Sequence, residues 1–380
     1  MGSGTLDHPK KTLIVYASAG HGHEKAAKAV YEACRKFHPE IETKIQDSLS
    51  HAIGFSGDFY KQLYYWQIRH APWLWALFYY STDHPGVYFF IRTIRRILNG
   101  LLARPLEKYI AQENPSAILA THFMAVEVAS HLKRSGKISA KLFVVITDYM
   151  PHAVWTASRV DKYLVALKDT KEELMARGIP ADRICVTGIP IEEKFSVPYD
   201  RRALEEKFGI GDRRFSVLVT SGGAGIGAMR ELVRELLEVP SPIRVLIVCG
   251  SNESLKNHLE KLNDPRGCLK IFGFVDNMQE LMEVADVVVG KGGGLTITES
   301  FSKSKPVIIF NPVPGQETRN ALVVEKYHAG FLAGSPKAVA DRIREISGDA
   351  ACLERLRQGA RNIAKSESAR RIAEIVENGN

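Results

Sequence analysis

Short apolar runs bounded by polar turns recur along the chain, at Thr12 to Tyr16, Ile118 to Thr121, Lys141 to Ile146, Lys162 to Ala166 and Ile184 to Thr187. Runs of this length predict buried strands. Between them lie helical stretches such as Glu24 to Phe37, where Ala26, Ala29, Val30, Ala33 and Phe37 share one face. The alternation predicts βαβ units and a parallel sheet. It restarts after a charged, proline-bearing stretch from Pro190 to Arg214, with strands at Ser216 to Thr220, Arg244 to Cys249, Lys270 to Phe272, Asp286 to Val289 and Pro306 to Phe310. A first domain over 1–195 and a second over 196–360 follow from that restart. A final helix from Ala338 to about Val376 is broken near Ser347-Gly348-Asp349. Whether its last part, 361–380, packs back on the first domain is not fixed by the residues. No period of repeat length recurs, which argues against a solenoid.

At 380 residues the chain exceeds one ordinary core, in keeping with two domains. Hydrophobic residues at 45% and charged residues at 25% are those of a globular protein and do not call for disorder. The five cysteines are scattered without a C-x-x-C pair, so neither a zinc site nor a disulfide framework is signalled, and a reducing cytoplasm fits. Met1-Gly2-Ser3-Gly4 reads as a cloning scar rather than the start of a signal peptide. The net charge of +8 favours an anionic partner: nucleic acid, a nucleotide or an acidic membrane face.

One segment breaks the pattern. Residues 55–96 crowd Phe, Tyr and Trp together, among them Trp66, Trp73, Trp75 and Phe78, with Lys61, Arg69, Arg92, Arg95 and Arg96 against Asp58 and Asp83. Aromatic rings are stable at the headgroup level of a bilayer and basic side chains attract anionic lipids. No uncharged apolar stretch reaches the ~20 residues that span a bilayer. The segment is expected to lie on a membrane surface. A core or dimer interface is the plain alternative, and base stacking in a nucleic-acid binder is disfavoured because no motif of that class accompanies it.

Two glycine turns follow strands and open helices: Ala17-Ser18-Ala19-Gly20-His21-Gly22-His23, and Gly290-Lys291-Gly292-Gly293-Gly294. Such a turn aims unpaired N–H groups and the positive end of a helix dipole at one spot, which suits a phosphate or a developing oxyanion. At that position His23 is expected to be neutral and able to accept a proton near pH 7. His21 could serve instead, and the pair could hold a metal, although no third ligand stands at a readable spacing. Ser221-Gly222-Gly223-Ala224-Gly225-Ile226-Gly227 lacks the G-x-G-x-x-G spacing and reads as a single phosphate turn rather than an NAD site. In the second turn Thr296-x-x-Glu299 satisfies a helix capping box, while Glu299 could equally accept hydrogen bonds from ribose hydroxyls. The polar loop from Asn311 to Ala321 suits a polyhydroxylated ligand, since each hydroxyl needs a partner.

Gly273-Phe274-Val275-Asp276-Asn277-Met278, Ala285 to Val289, Gly292 to Glu299 and Gln316 to Ala321 together resemble the donor domain of glycosyltransferase family 28. Gly20 to Ala27 and Val145 to Trp155 are similar to the two signature turns of its monogalactosyldiacylglycerol synthase and processive diacylglycerol glucosyltransferase branch. The resemblance covers about residues 12–330. It implies a GT-B fold, two Rossmann-like α/β domains facing across a cleft. It also implies His23 as the base that deprotonates the acceptor, with Gly22, His21, Asp148, His152 and Trp155 on the acceptor side. On the donor side it implies Gly222 and Gly223 near the diphosphate and Phe274 beside the uracil, with Gly293, Gly294, Leu295, Thr296 and Asn320 also donor-binding. Glu299 would bind the ribose, and Gln316 and Glu317 the hexose. Where this chain has His21 the family has glycine or a small polar residue.

The reaction so implied is an inverting transfer of glucose or galactose from UDP-glucose or UDP-galactose to diacylglycerol. No metal or other cofactor is expected, and no D-x-D motif is present. The expected partners are the sugar nucleotide, diacylglycerol and anionic membrane lipids, not nucleic acid, and the expected location is cytoplasmic, peripheral on the inner face of the membrane. The rivals are a GT-B transferase to a polyprenyl-linked acceptor, a nucleotide-sugar epimerase and a non-catalytic lipid or nucleotide sensor.

Overall fold

The computed structural model describes residues 10–18, 20–51, 66–67, 70–84, 86–87, 104–211, 214–220, 228–240 and 242–379. The chain divides into two units, Met1–Glu192 with Glu367–Asn380 and Glu193–Ser366. Each is built on its own six-stranded parallel sheet.

The first sheet contains β1 (Lys11–Tyr16), β2 (Glu42–Asp47), β3 (Ala117–Ala120), β4 (Lys141–Val145), β5 (Lys162–Val165) and β6 (Ile184–Val186), in the order β2-β1-β3-β4-β5-β6. The helices described with it include α1 (His21–Phe37), α2 (Pro72–Asp83), α3 (Arg104–Glu113), α4 (Phe123–Arg134) and α5 (Lys168–Ala176). Leu13, Ile118, Leu142 and Val144 are fully buried, as expected for strands covered on both faces.

The second sheet contains β7 (Phe215–Thr220), β8 (Ile243–Val248), β9 (Leu269–Phe272), β10 (Val287–Gly290), β11 (Val307–Phe310) and β12 (Gly330–Ala333), in the order β12-β11-β10-β7-β8-β9. Read from the other edge this is the doubly wound order of dinucleotide-binding folds. Its helices are α6 (Arg201–Lys207), α7 (Met229–Leu237), α8 (Glu253–Leu259), α9 (Met278–Val284), α10 (Gly294–Ser302), α11 (Gln316–Lys326), α12 (Pro336–Gly348) and α13 (Ala350–Ile363). A last helix, α14 (Ser368–Asn378), belongs to the first unit, where Ile372, Ala373 and Val376 close a core with Ala27, Val30 and Cys34 of α1.

Four features depart from the sequence pattern. Strands β2 and β12 were not expected from it, because both are sheet edges: Glu42–Asp47 is half-buried and polar, and Gly330–Ala333 has only four residues. Helix α1 begins at His21 rather than Glu24, with Gly20 in extended conformation as its cap. Phe37 leaves the apolar face of α1 and stands 40% exposed beneath the Arg370 guanidinium. The terminal helical stretch has a second break between Ile363 and Ser368 besides the one at Asp349.

Candidate functional site

In the first sheet the strand order reverses between β1 and β3, and ligands of open α/β sheets gather at the carboxyl ends of strands at such a point. Two turns converge there. The turn after β1 runs through Gly20 into α1; its Ser18 N–H donates to Asp47 Oδ1 (3.1 Å). The turn after β3 carries Thr121 and His122 into α4. His23, half-buried at the third position of α1, bridges them: its Nδ1 lies 2.6 Å from the Thr121 carbonyl oxygen, and the Thr121 hydroxyl donates to the His23 carbonyl (3.0 Å). A carbonyl can only accept, so Nδ1 carries the proton and Nε2 of the neutral ring keeps its lone pair. The Thr147 hydroxyl stands 3.1 Å from the same Nδ1. Burial pushes the imidazole below its ordinary value of 6.5, opposed by the negative charge of Asp148 and by the Thr121 carbonyl.

The other acceptor-side residues separate into those near this ring and those tied elsewhere. The Trp155 ring is buried and centred 6.1 Å from that of His23, and half-buried Asp148 acts on it through its charge. His152 is buried with both nitrogens engaged: Nδ1 accepts from Val154 N–H (3.0 Å) and Nε2 lies 2.9 Å from the Tyr79 carbonyl oxygen of α2. It therefore caps the short turn Ala153–Trp155 and joins it to α2. His21 is exposed at the first position of α1, and Gly22 follows it half-buried.

In the second unit the reversal falls between β7 and β10, so the turns after these two strands share one end of the sheet. Gly222 and Gly223, in the turn after β7, lie outside the described residues. After β10, Gly290 to Gly293 lead into α10, whose cap Gly293 is extended and provides no side-chain hydrogen bond. Thr296 therefore sits inside the helix, and Thr296-x-x-Glu299 does not cap it; the Thr298 hydroxyl bonds back to the Gly294 carbonyl (2.7 Å). The cap residue has no side chain of its own with which to close the helix start, and Glu317 Oε1 stands 3.7 Å from where a Gly293 Cβ would lie. Gly292 adopts φ +97°, and a Cβ there would approach Ile309 Cγ2 at 3.0 Å and the Glu317 carbonyl oxygen at 3.3 Å.

The turn is held from α11. Buried Asn320 donates from Nδ2 to the Gly292 carbonyl (3.0 Å), and Glu317 accepts the Val313 N–H (2.6 Å) beside Gly293. Gln316 opens α11 after Gly315, which adopts φ +95°. Glu299 and Leu295 are buried within α10, and Thr296 is half-buried. Phe274, after β9, is 77% exposed, the largest exposure among the exposed large hydrophobic residues described.

Helix α2 presents Trp73, Leu74, Leu77, Phe78 and Tyr80 to solvent, with Trp73 69% and Leu77 60% exposed. Trp66 is also exposed, whereas Trp75 is half-buried near Phe78. Arg92, Arg95 and Arg96 lie outside the described residues. Among the described residues no helix is long and apolar enough to cross a membrane.

Sequence reasoning missed Thr121, Thr147, His122 and Lys291. The first two meet His23 from distant points in the chain, one of them through a backbone carbonyl that any residue could provide. His122 caps α4 and meets the His23 ring edge-on at 4.9 Å; a histidine just after a strand was the signal available. Lys291 stands in the second glycine turn, its ammonium pushed below the ordinary value by burial and supported by the charge of Glu317.

Residues 23–191 match the family profile for monogalactosyldiacylglycerol (MGDG) synthase, and residues 216–371 that for the glycosyltransferase family 28 C-terminal domain. A processive diacylglycerol beta-glucosyltransferase of Bacillus cereus (strain G9842) is 30% identical over 368 residues, covering 96% of this chain and 93% of its own. Among solved structures, MurG of Acinetobacter baumannii superposes with a TM-score of 0.63 at 15% identity, covering 97% of this chain and 100% of its own. Alr3699/HepE of Anabaena in complex with UDP-glucose does so with a TM-score of 0.58 at 15% identity and the same coverage. At these identities the structural likeness shows the GT-B fold.

Proposed function

The chain belongs to glycosyltransferase family 28, in the branch of the monogalactosyldiacylglycerol synthases and processive diacylglycerol glucosyltransferases, and from that premise we propose that it moves a hexose from a UDP-sugar to the free hydroxyl of diacylglycerol. The observation that carries the reading is the 2.6 Å contact between His23 Nδ1 and the Thr121 carbonyl, which leaves Nε2 as the basic nitrogen. In the proposed step Nε2 takes the acceptor proton as the hydroxyl oxygen attacks the anomeric carbon from the face opposite the leaving group. The bond from that carbon to the β-phosphate oxygen breaks, and the product has inverted anomeric configuration.

The leaving UDP gathers negative charge on its diphosphate. The start of α10, with Gly293, Gly294 and Leu295, is assigned to offer N–H groups to that charge, and Gly222 and Gly223 are assigned beside them. Lys291 adds a cation to the same turn. Phe274 is assigned to the uracil, Glu299 to the ribose, Gln316 and Glu317 to the hexose, and Thr296 to the diphosphate. Asn320, whose amide holds the Gly292 carbonyl, acts here by fixing the turn. No step requires a metal.

Diacylglycerol resides in a bilayer, so the first unit has to work at a lipid surface. The exposed aromatic face of α2 supports docking there, aided by Trp66 and by Arg92, Arg95 and Arg96, with anionic lipids as the attracting partner. This gives the protein a peripheral place on the cytoplasmic face of the membrane.

The test offers UDP-glucose and UDP-galactose separately with diacylglycerol in mixed vesicles. Glycosyldiacylglycerol and UDP should appear with one or both donors, and His23→Ala should slow their formation at least about a hundredfold while still binding vesicles. Turnover undiminished in His23→Ala, or no glycolipid from either donor, would reject the reading.

A further inference from the structure

The inner side of α2 is fastened to the loop that brings Thr147, Asp148 and Trp155 to His23. Asp83, at the last position of the helix, accepts from Ala153 N–H (2.7 Å) with Oδ1, while Arg177 donates to both of its oxygens (2.9 and 3.1 Å). Arg177 is itself held by Glu173 of α5 (2.8 Å). One turn earlier, His152 Nε2 meets the Tyr79 carbonyl and the two rings lie 4.4 Å apart. The Thr82 hydroxyl is 3.3 Å from the same Nε2. Tyr79 and Thr82 are buried, while Trp73, Leu77 and Phe78 on the outer side are exposed.

Burial alone would raise the Asp83 carboxyl, yet Arg177 and the Ala153 N–H hold it below the ordinary carboxylate range. A bidentate guanidinium–carboxylate pair fixes direction as well as distance. Such a pair specifies geometry more than it adds stability. What it fixes is the turn Ala153–Trp155, whose last ring lies 6.1 Å from His23 and shares the burial that keeps that imidazole neutral. The same loop carries Asp148, and its Tyr149 carbonyl accepts from the Thr170 hydroxyl of α5 (2.6 Å).

Resting on the reading that α2 docks on lipid, we propose that Asp83 is a positioning residue through which docking of α2 orders the loop of Asp148 and Trp155 around the catalytic imidazole. The outer face of the helix meets the bilayer, its inner face holds the loop, and the Asp83–Arg177 pair makes the two move as one body. The enzyme is then fully assembled only at the surface where its acceptor lies.

Amide hydrogen exchange of the full chain tests this, with and without phosphatidylcholine vesicles containing phosphatidylglycerol and diacylglycerol, in the parent, Asp83→Ala, Asp83→Asn and Arg177→Gln. In the parent, vesicles should slow exchange about tenfold in both 74–83 and 149–157. In the variants they should slow exchange in 74–83 alone. On the same vesicles kcat should fall about tenfold with the KM for UDP-sugar unchanged, as expected for a lost arrangement rather than lost donor binding. Asp83→Asn keeps an oxygen for Ala153 N–H, so it and Arg177→Gln carry the comparison should Asp83→Ala fail to fold. Protection of 149–157 that persists in the variants, or that is missing from a parent whose α2 is protected, overturns the inference. If vesicles leave α2 itself unprotected, the lipid-docking reading fails, and the inference with it.

Discussion

His23 Nδ1 lies 2.6 Å from the carbonyl oxygen of Thr121, so a backbone group that no substitution of Thr121 removes fixes the tautomer of the proposed base. The catalytic work then falls to Nε2. His23→Ala is expected to lower kcat by about 10²–10⁴, the range for a positioned general base, with vesicle binding retained. Thr147→Val removes only the hydroxyl 3.1 Å from Nδ1 and should cost less than about tenfold, the Thr121 carbonyl remaining. Glycolipid formation at saturating donor measures both. Equal losses in the two variants would contradict the division of roles.

The pH dependence follows from the burial of that ring. Its folded-state pKa lies below 6.5, so the neutral base persists below that value and the acid limb of kcat/KM should fall on the acid side of it. For stability the sign is set by the unfolded chain, which takes up the proton at about 6.5 while the folded chain does so only at lower pH. The contribution is present above 6.5 and lost as pH drops to the lowered folded value. The Tm advantage of the parent over His23→Gln should shrink across that window. An acid limb at or above 6.5 would exclude His23 as the titrating base.

Two neighbouring glycines separate folding from binding. Gly292→Ala forces a Cβ onto a φ of +97° and within 3.0 Å of Ile309, so it should cost about 1–3 kcal/mol of stability in denaturant titration. Gly293 has an ordinary φ of −63°, and a Cβ there meets Glu317 Oε1 only at 3.7 Å. Gly293→Ala should therefore leave stability nearly unchanged yet weaken UDP binding at least tenfold, because the methyl group stands where the diphosphate is proposed to lie. Calorimetric titration of UDP decides this. Undiminished affinity in Gly293→Ala would move the diphosphate away from the start of α10.

These cases mark what the residues alone disclose. The interior strands of both sheets were legible because parallel strands buried on two faces demand continuous apolar runs, as at Val287–Gly290. Edges make no such demand, which hid Glu42–Asp47 and Gly330–Ala333. The glycine turns announced themselves as clusters between a strand pattern and a helix pattern; Gly292 needs its glycine at φ +97°, whereas Gly20 and Gly293 are extended. The partners of His23 did not, since Thr121 and Thr147 stand 98 and 124 residues away and the first acts through its backbone. His152 illustrates the converse. Its motif marks it for the acceptor side, but in the fold both its nitrogens are committed to Val154 and Tyr79.

The outer face of α2 gives a prediction independent of chemistry. Trp73, Leu77 and Phe78 are exposed, so replacing all three by serine should shift Tm little. Each removes apolar area that would enter the headgroup region, at about 1 kcal/mol apiece for partial burial, which sums to on the order of a 100-fold loss in vesicle partitioning. Vesicle co-sedimentation measures it. Unchanged partitioning would assign docking to another part of the chain.

The terminal helix closes the core of the first unit, although the whole of the second unit, Glu193–Ser366, separates it in sequence from the body of the first. Ile372 is fully buried against Ala27, Val30 and Cys34, and the Ser368 hydroxyl donates to the Ile189 carbonyl (2.7 Å). Ile372→Ala leaves a cavity between α14 and α1 and should cost about 2–5 kcal/mol. The loss belongs to the unit that carries His23. Denaturant unfolding followed by the exchange of α1 amides should therefore report it, while α7 and β8 in the other unit keep their protection. Equal destabilisation of both units would mean that they unfold as one, and a loss below about 1 kcal/mol that α14 is not part of the core.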